Sequence, residues 1–398
     1  MRRQSVGPDG TLIFPSHSAR HTLRAVNSID YSGSAPKTTL GQLNPGTPPV
    51  AWSHSNALVF GRGNRVFYKS MNDTEGVSSQ LTKLPDHLGG LRLVQAAGAD
   101  QPQIVVLATH SGSLQLWDLA TKRAAMQWRL AASKTPSALA WNASLLSVGD
   151  ARGGVRHYDT RVGVGAGGGA AKMKDGAIRV TRHQGRITAM AWGRDGVHVA
   201  CGDQNGLVLV WDIRKPRVPL ELGEMVQRRR KMQHSGAITA LTWCPWYGNY
   251  LLSGDTGPEG TGVLRSWDFS NGDEIPTATQ EKPNRVEFDA PVTSIHFSPH
   301  INEMVTTHGA AAAPADAPPS QQPLPGFATN SIVVHQFPAL RCVRSVRVAD
   351  HALAGSVLSP NGHRIAVAVP EECQLKVWEV WGKLRDSTKQ AFMSCTIR

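Results

Sequence analysis

Gly206-Leu207-Val208-Leu209-Val210-Trp211-Asp212 places a turn residue, an apolar stretch, a tryptophan and an acid in that order. A glycine suits the turn, and apolar positions recurring with period two mark a strand with a buried face. The same phrase returns as Gly112-Ser113-Leu114-Gln115-Leu116-Trp117-Asp118 and as Gly262-Val263-Leu264-Arg265-Ser266-Trp267-Asp268. A fourth copy is Gln374-Leu375-Lys376-Val377-Trp378-Glu379, and weaker copies end at Tyr158-Asp159, His335-Gln336 and Tyr68-Lys69. The anchor positions 68, 117, 158, 211, 267, 335 and 378 lie 49, 41, 53, 56, 68 and 43 residues apart.

The short intervals match the period of about 40–45 residues of WD repeats, in which each repeat forms one four-stranded propeller blade. A second series precedes the anchors: Val50-Ala51-Trp52, Leu139-Ala140-Trp141, Met190-Ala191-Trp192, Leu241-Thr242-Trp243 and Ile295-His296-Phe297. Together the two series account for most of the 11 tryptophans, an excess in a chain whose aromatic content is only 6%. An indole fills the gap between twisted sheets and keeps an N–H for a polar partner. In such blades the partners are a His, a Ser or Thr, an Asp and the Trp. His234, Ser253, Asp255 and Trp267 supply the full set, and His183, Asp203 and Trp211 supply it with Cys201 in place of the hydroxyl. These histidines are therefore structural. The expected fold is all-β, a seven-bladed propeller whose closure removes the exposed sheet edges.

The propeller is expected over 46–384, preceded by a flexible polar arm at 1–45 and followed by a tail at 385–398. The long intervals call for disordered insertions near 163–176, 221–232 and 309–328, the first Gly-rich and the last rich in Ala and Pro.

Composition excludes several classes. The chain has 398 residues, 40% hydrophobic and 18% charged, enough apolar content for a core and too little charge for a mostly disordered chain. No apolar run approaches the roughly 18–20 residues needed to cross a bilayer, and the N-terminus lacks the apolar stretch of a secretory signal. The five cysteines are too sparse and widely spaced for a metal site or a disulfide framework. Gly163-Val164-Gly165-Ala166-Gly167-Gly168 satisfies GxGxxG, but a Gly/Ala/Lys loop follows it instead of a helix, so no dinucleotide is implied. No cofactor, metal or catalytic constellation is indicated, and the protein reads as a non-enzyme. The net charge is +12, and its one dense run is Arg228-Arg229-Arg230-Lys231, expected to be a solvated loop or localisation signal rather than a nucleic-acid site.

Several segments go further. Ser137-Ala138-Leu139-Ala140-Trp141-Asn142 with Gly154-Val155-Arg156-His157-Tyr158-Asp159, and above all His234-Ser235-Gly236-Ala237-Ile238 with Trp243-Cys244-Pro245-Trp246, resemble blades of the Fizzy family. Those are the WD-repeat activators of the anaphase-promoting complex. Pro291-Val292-Thr293-Ser294-Ile295 and Thr307-His308-Gly309 match the next blade, and the chain ends in the family's terminal pair, Ile397-Arg398.

The resemblance implies an adaptor that brings degron-bearing substrates to the ubiquitin ligase in cell-cycle control, in nucleus and cytoplasm. Ile397 and Arg398 would dock on a helical-repeat subunit of the ligase, and checkpoint inhibitors would be further partners. Degron peptides would lie on the propeller rim. There the resemblance breaks: where the family carries two acids on the first blade, this chain has Asn44 and Ala51, and the positions matching its KEN-binding Asn, Thr and Arg are Gln204, Thr256 and Ala352. The family's docking box is absent from 1–45. The alternative is a divergent WD-repeat scaffold that no longer activates the ligase and organises another complex. Arg20-His21-Thr22-Leu23 also matches the minimal RxxL degron.

Overall fold

The computed structural model describes residues 23–30, 49–73, 76–130, 135–161, 178–181, 183–226, 229–269, 285–311 and 327–382. They form seven antiparallel sheets, six of four strands and one of five. Blade 1 comprises Val50–Trp52, Ala57–Arg62, Arg65–Ser70 and Ser79–Lys83. Blades 2 to 6 repeat the plan from inner strands Leu91–Ala96, Pro136–Asn142, Ile187–Trp192, Ala237–Trp243 and Val292–Phe297. Blade 7 starts at Gly355–Leu358 and continues through Arg364–Val369 and Gln374–Glu379. Each inner strand contacts the inner strands of both neighbours, and Val50–Trp52 contacts Gly355–Leu358, so the ring is closed.

The blades pack through apolar clusters that each draw on two neighbours. Val59, Val66 and Leu81 of blade 1 meet Leu91, Val94, Val105 and Leu107 of blade 2. The tryptophans of the second series end the inner strands, and those of the first series end the third strands. The register of six anchors is the same: Trp117 opposes Val105, Tyr158 opposes Leu146, Trp211 opposes Val199, Trp267 opposes Leu251, His335 opposes Met304 and Trp378 opposes Ile365. Blade 1 differs. There Lys69 opposes Leu58 in the anchor register, and Tyr68 is one residue out. A one-residue offset turns a side chain to the other face of the sheet.

Two expectations about the boundaries need correction. Within the arm, Arg24–Asp30 is a strand. It pairs antiparallel with Gln374–Glu379 and is the outermost strand of blade 7. Its sequence, Arg24-Ala25-Val26-Asn27-Ser28-Ile29-Asp30, hides its period because one face is solvated and a bulge interrupts the register between Ala25 and Asn27. Ile29 alone is deeply buried, against Leu375, Val377, Trp52 and Phe60. Leu23, the last residue of the RxxL match, is also buried, in the cluster between blades 6 and 7.

The second correction concerns 221–232. Glu224–Val226 and Arg229–Gln233 are strands, the latter pairing with Leu207–Asp212 and the former lying outside it as the fifth strand of blade 4. The basic run therefore enters a strand, with Lys231 exposed and Met232 buried in the core. Alternation, not charge density, decided its structure. Residues 163–176, most of 309–328 and 385–398 lie outside the described residues. Among the described residues no helix is long and apolar enough to cross a membrane.

Removal of the closing strand leaves blade 7 with an open edge. Substituting Ile29→Ala is expected to lower the unfolding free energy by about 2–4 kcal/mol, read as a shift of the urea midpoint. A midpoint equal to that of the parent would mean that this strand does not close the ring.

Candidate functional site

The WD side-chain sets form, and they differ between blades in an instructive way. In blade 5, Ser253 Oγ lies 2.6 Å from His234 Nε2 and accepts the Trp267 indole N–H at 2.7 Å. His234 Nδ1 is 3.1 Å from Asp255 Oδ2, and Asp255 Oδ1 accepts the Val263 amide at 2.6 Å. All four groups are buried. Burial holds the His234 imidazole below its ordinary range, and the Asp255 carboxylate only partly offsets that. The set staples the loop entering blade 5 to the turn between its second and third strands.

Blade 4 shows what the missing hydroxyl costs. His183 Nδ1 is 2.8 Å from Asp203 Oδ2, and Asp203 Oδ1 accepts the amides of Asn205 and Leu207. His183 and Trp211 rings remain in contact, with centroids 5.5 Å apart. With Cys201 at the hydroxyl position, both His183 Nε2 and the Trp211 indole N–H are buried without a partner. Burial pushes the Cys201 thiol up, so it stays a neutral apolar filler.

In blade 6 the ring types exchange places. By register, Phe288 stands at the histidine position and His335 at the tryptophan position, with Thr306 and His308 as the other two members. Thr306 Oγ1 is 2.8 Å from His308 Nε2 and 2.9 Å from His335 Nε2, and Phe288 packs on both imidazoles. A polar chain then joins blades 6 and 7: His296 Nε2 to Ser356 Oγ at 2.9 Å, Ser356 to Thr307 at 3.2 Å and Thr307 to Thr293 at 2.9 Å. Among the described residues no three metal-binding side chains cluster.

The ends of these strands define a face. In every blade the inner strand begins, the second strand ends and the third strand begins on the same side of the ring. Turns there are tight: Gly153 and Gly206 adopt φ of 80° and 81°, and a Cβ at Gly206 would lie 2.5 Å from the His234 carbonyl oxygen. Gln204 and Thr256, at the ends of second strands in blades 4 and 5, lie on this face. Ala352, in the loop entering blade 7, lies on it too. Gln204 is exposed, Ala352 is half-buried, and the Thr256 hydroxyl is buried without a partner. Ala51 is buried in an inner strand and lines the central channel, an opening of about 390 Å³ walled by all seven inner strands. Asn44, Ile397 and Arg398 lie outside the described residues.

Sequence reading missed the cations of this face. Arg92 is the second residue of the blade 2 inner strand, and Arg186 immediately precedes that of blade 4. His110 and Arg152 occupy the exposed turns of blades 2 and 3. The Arg186 carbonyl accepts the Gln204 amide at 2.9 Å. Burial lowers the pKa of Arg92, Arg186 and His110, and a neighbouring cation adds to it in two of them: Arg186 acts on Arg92 and Arg92 on His110. Superposing the blade starts by register matches Leu91 with Ile187, so the two arginines flank that position, Arg92 after it and Arg186 before it.

This is a seven-bladed WD-repeat propeller. The comparisons narrow that class, because the Fizzy resemblance extends along most of the chain. It is 25% identical to B-type cell cycle switch protein ccs52B of Medicago truncatula over 339 residues, 84% of this chain and 58% of that protein. Protein FIZZY-RELATED 1 of Arabidopsis thaliana is 25% identical over 346 residues, 86% and 61% of the two chains. Anaphase-promoting complex subunit cdc20 of Dictyostelium discoideum is 24% identical over 336 residues, 83% and 57%. The chain thus spans about three fifths of these relatives' length. A family described as Nucleolar protein 10-like, N-terminal domain, a β-propeller, matches residues 132–310. A chain of the crystal structure of the mitotic checkpoint complex superposes with a TM-score of 0.69, covering 94% of this chain and 99% of that one at 20% identity. That likeness bears on the fold.

Restoring the hydroxyl in blade 4 should stabilise the protein. Cys201→Ser is expected to raise the unfolding free energy by about 1 kcal/mol, whereas Ser253→Ala lowers it by about 1–3 kcal/mol. Urea melts of both variants check this, and a destabilised Cys201→Ser would mean that packing outweighs the hydrogen bonds.

Acid should destabilise the ring. Burial pushes His157, His296 and His335 down to about 4 and His308 to about 3. The unfolded chain takes up these protons near 6.5 and the folded chain refuses them. Their contribution is whole above that pH and is lost as pH falls toward 4, at a limiting slope of about 1.4 kcal/mol per pH unit for each histidine. Urea midpoints should fall steadily from pH 7.5 to pH 5; a flat profile would contradict the burial of neutral imidazoles.

Proposed function

We propose that this chain is a substrate-recruiting adaptor of the anaphase-promoting complex in cell-cycle control. The observation that carries the reading is similarity over more than four fifths of the chain to relatives that include an anaphase-promoting complex subunit. Such an adaptor needs no reaction chemistry of its own. It raises the effective concentration of a bound substrate at the ligase.

In this reading the terminal Ile397 and Arg398 dock on a helical-repeat subunit. An apolar side chain, a guanidinium fork and a free carboxylate offer several directional contacts in a small footprint. Short peptides from substrates lie on the face that carries Gln204, Thr256 and Ala352. Checkpoint inhibitors are a second partner class, and the protein works in nucleus and cytoplasm. The second reading, a scaffold that organises another complex, is favoured by one observation: Ala51 offers no carboxylate where the family carries an acid.

The test is affinity purification of the tagged full-length chain with and without its last two residues. Ligase subunits should accompany the full chain and be lost from the truncated one. Their absence from both samples would falsify the adaptor reading and leave the scaffold.

A further inference from the structure

We propose that the outer edge of blade 4 is a docking surface for an extended segment of a partner protein in which acidic and apolar residues alternate. It involves neither the terminal pair nor the face that carries Gln204, Thr256 and Ala352, and so goes beyond the adaptor reading.

Among the described residues only the sheet of blade 4 has five strands. The place of a fourth strand is shared there between two pieces of chain. The Leu220 amide donates to the Val210 carbonyl at 2.8 Å, while Met232 and Gln233 oppose Val208 and Leu207. Between these pieces the chain runs out into the antiparallel pair of Glu224–Val226 and Arg229–Gln233, and Glu224–Val226 is the outermost strand. An outermost strand turns part of its backbone N–H and C=O groups away from the sheet, where another extended chain can pair with them.

The side chains along that edge are of two kinds. Met225 is 70% exposed, Val218 60% and Leu220 38%. These are three of the seven exposed large apolar side chains among the described residues, and they fall within eight positions of the chain. Apolar groups gathered in this way on a surface mark an interaction site. The other kind is cationic. Residues 213–233 hold seven Lys and Arg against two acids, which is five of the chain's twelve net positive charges. Lys215, Arg217 and Lys231 are exposed. Arg230 stands directly opposite Met225 in the strand pair, so an apolar side chain and a cation share one face.

The acids nearby are mostly committed. Arg214 holds Asp212 at 2.7 Å, and Glu224 lies 3.1 Å from Arg265 of blade 5. Glu221 is exposed and is the single acid of 213–233 outside an ion pair among the described residues. Lys215, Arg217, Arg230 and Lys231 are all outside one among the same residues, so the local field is positive.

Cations on an edge strand can serve simply to keep other strands away. A methionine left in water beside them does not serve that end. A segment with alternating acids and apolar residues answers all three features: its backbone pairs with Glu224–Val226, its apolar side chains cover Met225 and its neighbours, and its carboxylates meet the cations. Nucleic acid answers the cations alone. A second copy of this chain would bring an equally positive edge against this one, and like charges oppose that pairing.

Fluorescence anisotropy on the full-length protein tests this with a labelled peptide of about ten residues alternating Glu with Val or Leu. Control peptides replace every Glu by Lys, replace every apolar residue by Ser, or carry N-methyl groups on the central backbone nitrogens. The parent peptide should bind, and each control should bind at least about fivefold more weakly. Met225→Ser and Lys231→Glu should each weaken the parent peptide at least about fivefold, whereas Arg123→Glu, a charge reversal on the outer strand of blade 2, should leave it within about twofold. Met225 and Lys231 are exposed, so the variants keep the fold, which a thermal melt verifies. The proposal is overturned if the parent peptide does not bind, if any control peptide binds as tightly, if Met225→Ser or Lys231→Glu leaves binding unchanged, or if Arg123→Glu weakens it equally. It is also overturned if an oligothymidine or phosphatidylserine vesicles bind this edge more tightly than the peptide, or if sedimentation reveals a dimer that Met225→Ser dissolves.

Discussion

Everything in this structure depends on seven wedge-like sheets meeting in a ring, and the ring is sealed by one strand from the far end of the chain. Arg24–Asp30 completes blade 7 beside Gln374–Glu379. Its pairing gives the last blade a fourth strand and covers an edge that would otherwise offer free backbone groups to other chains. Closure of this kind is also entropically demanding, because the contacts join residues more than three hundred positions apart, although the cost grows only slowly with loop length. Once the ring is closed, each blade is supported on both sides, and its strand ends are fixed relative to those of every other blade. That rigidity makes a face out of turns that are far apart in sequence.

The sequence exposed the repeating part of this plan because the repeat is carried by large, distinctive residues. A tryptophan or its stand-in recurs in register in six blades, and the count of seven follows from the anchor spacing. What stayed hidden had no such mark. The closing strand buries little beyond Ile29 and carries polar residues elsewhere, so it looked like an arm. Arg229–Gln233 was masked by its charge, although Met232 occupies a core position. Blade 1 was assigned Tyr68 as its anchor because an aromatic was sought, and pairing puts Lys69 there.

The side-chain sets show how tolerant the blade is of its polar staple. Blade 5 has the full four-member set, blade 4 lacks a hydroxyl, and blade 6 interchanges its aromatic ring and imidazole. Five of the 11 indole N–H groups, those of Trp128, Trp141, Trp211, Trp246 and Trp378, are buried without a partner. A buried unpaired N–H is costly, so these tryptophans are kept for their volume between sheets. The hydrogen bond is an addition where a nearby side chain supplies an acceptor, as Gln115 of the same strand does for Trp117 and Asn56 of the following turn does for Trp52.

The same logic separates the scaffold from the site. Residues that build the ring are buried, apolar and legible from periodicity. The cations of the face where inner strands start are spaced by whole blades, so no short window of sequence brings those of different blades together. Arg92 and Arg186 are almost a hundred positions apart in the chain and come to the same side of the ring because each stands where an inner strand starts. Their placement on one side is thus a consequence of fold geometry acting on residues that each look unremarkable in the sequence.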